Sequence, residues 1–419
     1  MPTLVYATGF EHGAALVAGV GNGLCLSKQG TGTDTITASA ARASHSAFGM
    51  RLVTDNVNNW REINLYNVNG TTLVGSFYWR AVDKPTTNEK DVFYCPIGAG
   101  AGFILINYSP STNMLASHIF GTSNVGQSAF TTVTTNQWYR IDFKISTGTA
   151  TWAIDWKIDG VDQTSTTLGS QTAGALIGDF ILDANATGTD DPHGCTWDYD
   201  DVVLSVTGTD FPLGQYAVVG ITADQTAAAA HQTITTTEWQ YGTLSGATFT
   251  STGNFTGNNE TDSRSRLNGL FTTKGIRMNA GNTGQAGNAR WPVADPTKPT
   301  GGTVQAVSLI TASQEAAAGT NSATFRTLVG ASTTNHFNAD PGWGTTINYL
   351  RSIMTTKPGG GAWADADVQG INFEADSGDS NPAIHLTGFY YEVAYSIAAS
   401  AAKSLAVHSR TSRNTLLRR

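Results

Sequence analysis

Apolar and charged residues alternate without a break through Tyr139-Arg140-Ile141-Asp142-Phe143-Lys144-Ile145. Trp152-Ala153-Ile154-Asp155-Trp156-Lys157-Ile158 nearly repeats the pattern, with Ala153 the one small exception. A period of two fits an extended strand with one buried and one wet face, because successive side chains point to opposite sides. Tyr139, Ile141, Phe143, Ile145, Trp152, Ile154, Trp156 and Ile158 are therefore expected to face a core. Asp159-Gly160 follows the second stretch and predicts a tight hairpin turn. Further strand patterns lie at 63–66, 73–82, 92–96, 103–108 and 201–206, with Asn69-Gly70 as a second hairpin signal. No long amphipathic helix interrupts the first 208 residues. Short strands joined by Gly, Asn and Asp turns predict a sandwich or jelly roll and argue against alternating βα folds.

Thr207-Gly208-Thr209-Asp210-Phe211-Pro212-Leu213-Gly214 reads as a boundary, since Gly and Pro cluster between two strand patterns. The expected organisation is all-β: an antiparallel β-sandwich at 1–208, a linker at 209–214, a second β-sandwich at 215–397 and a short C-terminal arm at 398–419. In the second half, strands are expected at 216–221, 269–271, 275–278, 304–311, 324–329 and 389–395. One short helix is expected at 364–368, where Asp365 and Asp367 suit the positive end of the helix dipole. Residues 279–302, rich in Gly, Asn, Thr and Pro, read as a long surface loop. The Ala-rich segment 398–407 reads as a helix leading into an extended arm.

The 419 residues suffice for two cores, and a hydrophobic fraction of 40% excludes global disorder. The formal charge of −8 disfavours nucleic acid as a partner. Lys403, Arg410, Arg413, Arg418 and Arg419 are followed or flanked by no acid from Lys403 onward. With Leu405, Leu416 and Leu417, they form an assembly arm expected to dock on an acidic neighbour. No run of 18 apolar residues marks a membrane-spanning helix, so no membrane insertion is expected. Cys25, Cys95 and Cys195 are too few and too far apart for a disulfide framework or a zinc site. The opening residues lack a basic region and an apolar core and do not read as a signal peptide, so folding in a reducing cytoplasm, or exit by a route other than secretion, is expected.

Searches for chemistry return little. There is no Gly-x-Ser-x-Gly elbow, no His-Glu-x-x-His helix and no phosphate-binding loop, and no enzyme is expected. Glu374-Ala375-Asp376-Ser377-Gly378-Asp379 is the one carboxylate cluster to weigh as a glycosidase site, against a solvated acidic loop. Catalysis there would need Glu374 and Asp376 on one strand beside a cleft. Asp183, Asn185, Asp190 and Asp191 are candidate calcium ligands at a sandwich edge, against ordinary Asx turns; no other cofactor is expected. Trp60, Tyr66, Tyr78, Trp79 and Trp138 admit two readings, a sugar-stacking platform or core and interface packing. Trp138 lies on the charged face of its strand, beside Arg140, Asp142 and Lys144. It is the candidate for an exposed aromatic in contact with a glycan or another protein.

Several segments resemble the concanavalin A-like, laminin-G-like jelly rolls of phage virion proteins. They are Thr8-Gly9-Phe10-Glu11, Asn59-Trp60-Arg61-Glu62-Ile63, Asn136-Gln137-Trp138-Tyr139-Arg140-Ile141, Ile158-Asp159-Gly160 and Tyr199-Asp200-Asp201-Val202-Val203. In the second half, Lys357-Pro358-Gly359-Gly360-Gly361-Ala362-Trp363-Ala364-Asp365-Ala366-Asp367-Val368 resembles a domain that recurs in tail-associated proteins of long-tailed phages. The resemblance implies a structural component of a bacteriophage virion, most readily a minor tail protein, with a capsid decoration or head-fibre protein as the alternative. The partners it implies are other virion proteins, further copies of the chain in a homo-oligomer (a trimer), and a host-surface glycan. A carbohydrate-binding module and a glycoside hydrolase are the remaining readings.

Overall fold

The computed structural model describes residues 2–12, 24–42, 46–54, 61–86, 89–98, 100–110, 112–122, 124–184, 194–224, 239–245, 248–254, 267, 274–278, 288–317, 323–337, 345–376 and 383–398. In the first half, two antiparallel sheets face each other. The nine-stranded sheet runs in the order Val161–Asp162, Trp152–Ile158, Tyr139–Ser146, Thr72–Asp83, Cys195–Ser205, Gly49–Thr54 and Thr33–Thr37. Leu4–Thr8 also pairs with Cys195–Ser205, and Thr166–Leu168 with Trp152–Ile158. The eight-stranded sheet runs Val125–Gln127, Met114–Phe120, Gly102–Ser109, Lys90–Ile97, Ile177–Asp183, Glu62–Gly70 and Ser27–Gln29, with Thr131–Thr132 beside Met114–Phe120.

The alternating residues Tyr139 to Ile145 and Trp152 to Ile158 point inward as expected and are buried in one core. That core is aromatic at its centre. Phe143 stacks on Phe93 of the opposite sheet with ring centroids 4.5 Å apart, and Phe77 and Phe180 close around the pair at 5.7 Å and 5.6 Å. Each such ring stabilises the fold by about 1.5–3 kcal/mol through burial. Gly75 stands opposite Phe143 in the strand register, and a Cβ there would lie 2.3 Å from the Phe143 ring. A glycine at 75 is what lets the ring lie flat on the sheet.

Asp159-Gly160 forms the expected two-residue hairpin, joining Ile158 to its partner Val161 with φ +52° and +84°. Asn69-Gly70 does not form a hairpin. Its turn, with φ +44° at Asn69, carries the chain from Glu62–Gly70 in one sheet to Thr72–Asp83 in the other. Turn chemistry sets the reversal. The inward faces on both sides then send the two strands to opposite layers.

The second half has a seven-stranded sheet in the order Thr248–Asn254, Gln240–Ser245, Lys274–Met278, Ile384–Ile397, Gly302–Glu315 and Asn348–Met354, with Tyr216–Ile221 on Ile384–Ile397. A four-stranded sheet, Asn288–Pro292, Ile371–Asp376, Thr324–Val329 and Ser332–His336, packs against it. Phe373 and Phe389 stack across this core with centroids 4.0 Å apart. The helix is Asp365–Gln369, and Asp367 accepts from the Ala364 backbone N–H at 2.9 Å, closing its first turn. Two loop expectations are corrected. Asn288–Pro292 lies within the predicted loop 279–302 but is a strand that buries Ala289 and Trp291. Glu374-Ala375-Asp376 belongs to the strand Ile371–Asp376, because Ile371, Phe373 and Ala375 supply a period-two apolar face that a solvated loop would not have. The expected strand 269–271 and the arm 399–419 lie outside the described residues.

The halves meet through two apolar clusters: the core of the first half takes in Ile310, Ala312, Tyr349 and Tyr390 of the second, and a third, smaller cluster lies beside it. Leu4, Ala7, Val74 and Val203 of the first half pack on Tyr216, Val218, Ala306 and Ala394 of the second. A buried ion pair closes one end of this contact. Glu392 accepts from Arg351 Nη1 at 2.6 Å, from Thr8 Oγ1 at 2.9 Å and from the Gly9 N–H at 3.2 Å. The Arg351 guanidinium also sits 4.8 Å from the Tyr6 ring. At the other end, Asp201 pairs with Arg42 at 2.6 Å and accepts from the Val218 N–H at 2.6 Å. The acidic step Asp200-Asp201 is thus a docking point for the first strand of the second half.

Candidate functional site

The outward face of the eight-stranded sheet is where chemistry gathers. Phe93, Cys95 and Ile97, Ile104, Ile106 and Tyr108, Leu115 and Ile119, and Phe180 and Leu182 all belong to the core. Alternation therefore turns Tyr94, Pro96, Phe103, His118, Phe120 and Asp183 outward. An irregularity in the register between Asp91 and Phe93 turns Asp91 outward as well.

Strand register arranges these side chains in rows across the sheet. In the first row, Phe103 pairs with Pro96 on one side and Phe120 on the other, and Phe120 pairs with Val125. Beyond Pro96 the register is irregular between Ile177 and Ile181, and on the two strands there Asp179 pairs with Asn67. The second row places Tyr94 between Ile181 and Leu105, with Asn64 beyond Ile181 and His118 beyond Leu105. The third contains the register pairs Glu62 with Asp183 and Asp91 with Asn107.

Exposure falls from row to row. Pro96, Phe103, Phe120 and Asp179 are half-buried, Asn67 is exposed, and Val125 is 56% exposed. Phe103 and Phe120 stack with centroids 4.5 Å apart and an interplanar angle of 25°. His118 extends the stack from behind, nearly parallel to Phe120 at 5.7 Å. Asn67 Nδ2 donates to Asp179 Oδ1 at 2.9 Å at the far end. Behind this shelf, Tyr94 is half-buried, while Glu62, Asp91, Asn107 and Asp183 are buried.

Burial dominates the electrostatics. It pushes the Asp91 carboxyl up to about 8, with Glu62 and Glu89 adding like-charge repulsion. Burial also raises the Tyr94 phenol well above its usual range, reinforced by Glu62, to which it is hydrogen-bonded, and by Asp183. The His118 imidazole is lowered to about 4 by burial and is neutral at pH 7. Asn107 donates to Glu89, but its Oδ1 has no hydrogen-bond partner, nor have Asn64 Oδ1 and His118 Nε2. An apolar shelf thus stands in front of a buried polar layer, part of which has no hydrogen-bond partner within the protein.

The residues singled out in the sequence fall elsewhere, with one exception. Asp183 is on this face, fully buried at the end of its strand; Asn185, Asp190 and Asp191 lie outside the described residues. Among the described residues no group of three or more His, Cys, Asp or Glu is placed to hold a metal ion. Trp138 is half-buried on the outward face of the nine-stranded sheet, under the Arg80 guanidinium at 4.7 Å. Arg80 in turn pairs with Asp198, which also binds Arg51 at 2.7 Å. Trp79 is core, Tyr78 lies beneath Arg42 at 3.6 Å, and Tyr66 packs against the core 6.0 Å from Tyr6. Trp60 lies outside the described residues, so these rings form no described platform. Glu374 and Asp376 do share a strand face, but Arg326 binds both at 2.8 Å and Arg290 binds Glu374 at 2.8 Å. They are held as ion pairs. Lys403, Leu405, Arg410, Arg413, Leu416, Leu417, Arg418 and Arg419 lie outside the described residues.

Phe103 and Phe120 were not singled out in the sequence. The available signal was parity: Phe103 falls out of step with Ile104, Ile106 and Tyr108 in its own strand.

No family model and no curated protein matches the chain. Among solved structures it is similar to the cellulose induced protein Cip1, at 13% identity over 48% of this chain and 97% of that one, with a TM-score of 0.36. It is also similar to domain 4 of AbnA, a GH43 extracellular arabinanase from Geobacillus stearothermophilus, in complex with arabinotriose, at 16% identity over 50% and 96% with a TM-score of 0.33. The carbohydrate binding module CBM66 from Bacillus subtilis aligns at 12% identity over 43% and 96% with a TM-score of 0.28. No residue role follows from likenesses at this level.

Proposed function

We propose that this chain is a non-catalytic carbohydrate-binding β-sandwich protein whose contact surface is the shelf centred on Phe103 and Phe120. The stacked, half-exposed pair of rings carries the reading. Sugar rings offer C–H faces that pack on aromatic rings, and hydroxyls that need polar partners at the edge. The row supplies both, with Pro96 and Val125 extending the apolar part and Asn67 with Asp179 at one end. The paired row from Pro96 to Val125 crosses four strands. At the usual strand spacing it is about 14 Å long, room for a short oligosaccharide lying across the strands. The setting proposed with this function is the one the sequence resemblance implies, a minor tail protein or head decoration exposed for contact with a host surface.

A glycan array followed by titration calorimetry tests the reading. Phe120→Ala is expected to weaken the best hit about tenfold, the effect of losing about 1.4 kcal/mol of ring contact. Trp138→Ala is expected to leave it unchanged. An array without hits, or binding lost with Trp138→Ala and kept with Phe120→Ala, overturns the proposal.

A further inference from the structure

We infer that the outward face of the nine-stranded sheet receives an acidic segment of a protein partner, with Arg51, Arg80 and Trp138 as the contact. The inference is independent of the carbohydrate reading, which concerns the other sheet. Two guanidiniums here share one carboxylate. Strand register places Asp198 between Arg51 and Arg80. Arg51 Nε donates to Asp198 Oδ1 at 2.7 Å and Arg51 Nη2 to Oδ2 at 2.9 Å, while Arg80 Nε donates to the same Oδ2 at 3.0 Å. The Asp198 side chain is wholly buried beneath them, whereas those of Arg51 and Arg80 keep 23% and 19% of their surface. Nη1 of each arginine donates to nothing in the protein and is not enclosed by it. The pair thus carries one positive charge beyond what Asp198 neutralises, in a chain whose formal net charge is −8.

The acids nearby are taken up by other groups. Asp142 pairs with Arg140, and Asp201 with Arg42. Asp200 is fully buried and accepts from the Arg42 and Asp201 N–H groups, and burial holds its carboxyl well above the usual range. Asp83, exposed at the end of its strand, lies beside Lys84. The arginines are also held in place before any partner arrives. Asp198 fixes both from below, Arg80 Nη2 donates to the Ser39 carbonyl at 2.7 Å, and the Trp138 ring lies 4.7 Å from the Arg80 guanidinium. Guanidiniums fixed in this way lose little freedom on binding, and their planar fork suits a carboxylate. Arginine and tryptophan together are the residues that dominate protein–protein contacts. A partner's carboxylate meets the open Nη1 donors, and its chain rests on the half-buried Trp138.

The test is fluorescence polarisation on the full chain at low salt with two labelled peptides of equal length, one alternating Glu and Ser, the other Gln and Ser. The acidic peptide is expected to bind at least tenfold tighter, and 0.5 M salt should remove most of that gap through screening. Arg51→Gln leaves Asp198 its bond to Arg80, so no buried charge is stranded and the fold is kept. It should weaken the acidic peptide at least threefold, and Trp138→Ala should weaken it as well, while Phe120→Ala leaves it unchanged. Arg51→Lys, which keeps the charge but not the fork, should fall between the wild type and Arg51→Gln and serves if the glutamine variant fails to fold. Equal binding of the two peptides, or binding of neither, overturns the inference. So does an acidic peptide held as tightly by the Arg51 variants as by the wild type, which would place its site elsewhere on the chain.

Discussion

A carboxylic acid at position 91 is a costly thing to bury. Asp91 is 6% exposed, and its neighbours Glu62 and Glu89 are acids too. Its unfolded value is that of an ordinary aspartate near 4, and its folded value is about 8. The folded state therefore holds a proton through that interval which the unfolded state releases. The stabilising contribution is complete below the unfolded value and is lost as pH rises through the folded one. Urea melts should show Asp91→Asn gaining stability relative to the wild type as pH goes from 5 to 8.5. A constant difference across that range would remove the argument. At this scale the sequence was least informative. Trp138 stands out by its isolation on a charged face, yet Arg80 stacks on it. Phe103 and Phe120 look like ordinary strand aromatics, and only cross-strand register brings them together.

Elements were far more legible. The period-two stretches became strands with the expected inward faces, because burying one face leaves little freedom in how a strand can sit. Partners were not legible, as Asn69-Gly70 illustrates: the turn residues predict a reversal, but not that the chain changes sheets. The strand Asn288–Pro292 was hidden by its Asn, Arg and Pro, although Trp291 anchors it in the core. Gly75 shows what such packing demands. Gly75→Ala would push a methyl group into the Phe143 ring, which Phe93 and Phe180 hold in place. A destabilisation of about 1–3 kcal/mol is expected. Adding Phe143→Leu should recover part of it, so the two changes should be non-additive in denaturation experiments. Strict additivity would mean that the ring is free to move aside.

Across the whole molecule, the mutual packing of the two halves had no sequence signature. It depends on single groups meeting across the chain. Arg351→Met leaves the buried Glu392 without its cation, a change that generally costs about 3–5 kcal/mol. Calorimetry should show a lower melting temperature for this variant. Arg351→Met combined with Glu392→Met should recover much of the loss, since no charge is then stranded. If the double variant is no better than the single, the pair is not what holds this end of the contact. The carboxylate of Glu392 and the hydroxyl of Thr8 are 384 positions apart. During synthesis on a ribosome, the early half can complete its own sheets long before its partner for this contact has been translated. Until then Leu4, Ala7, Val74 and Val203 form a bare apolar patch on a nascent chain. The interval between the two halves is when this protein is most open to capture by a chaperone or by another unfinished copy.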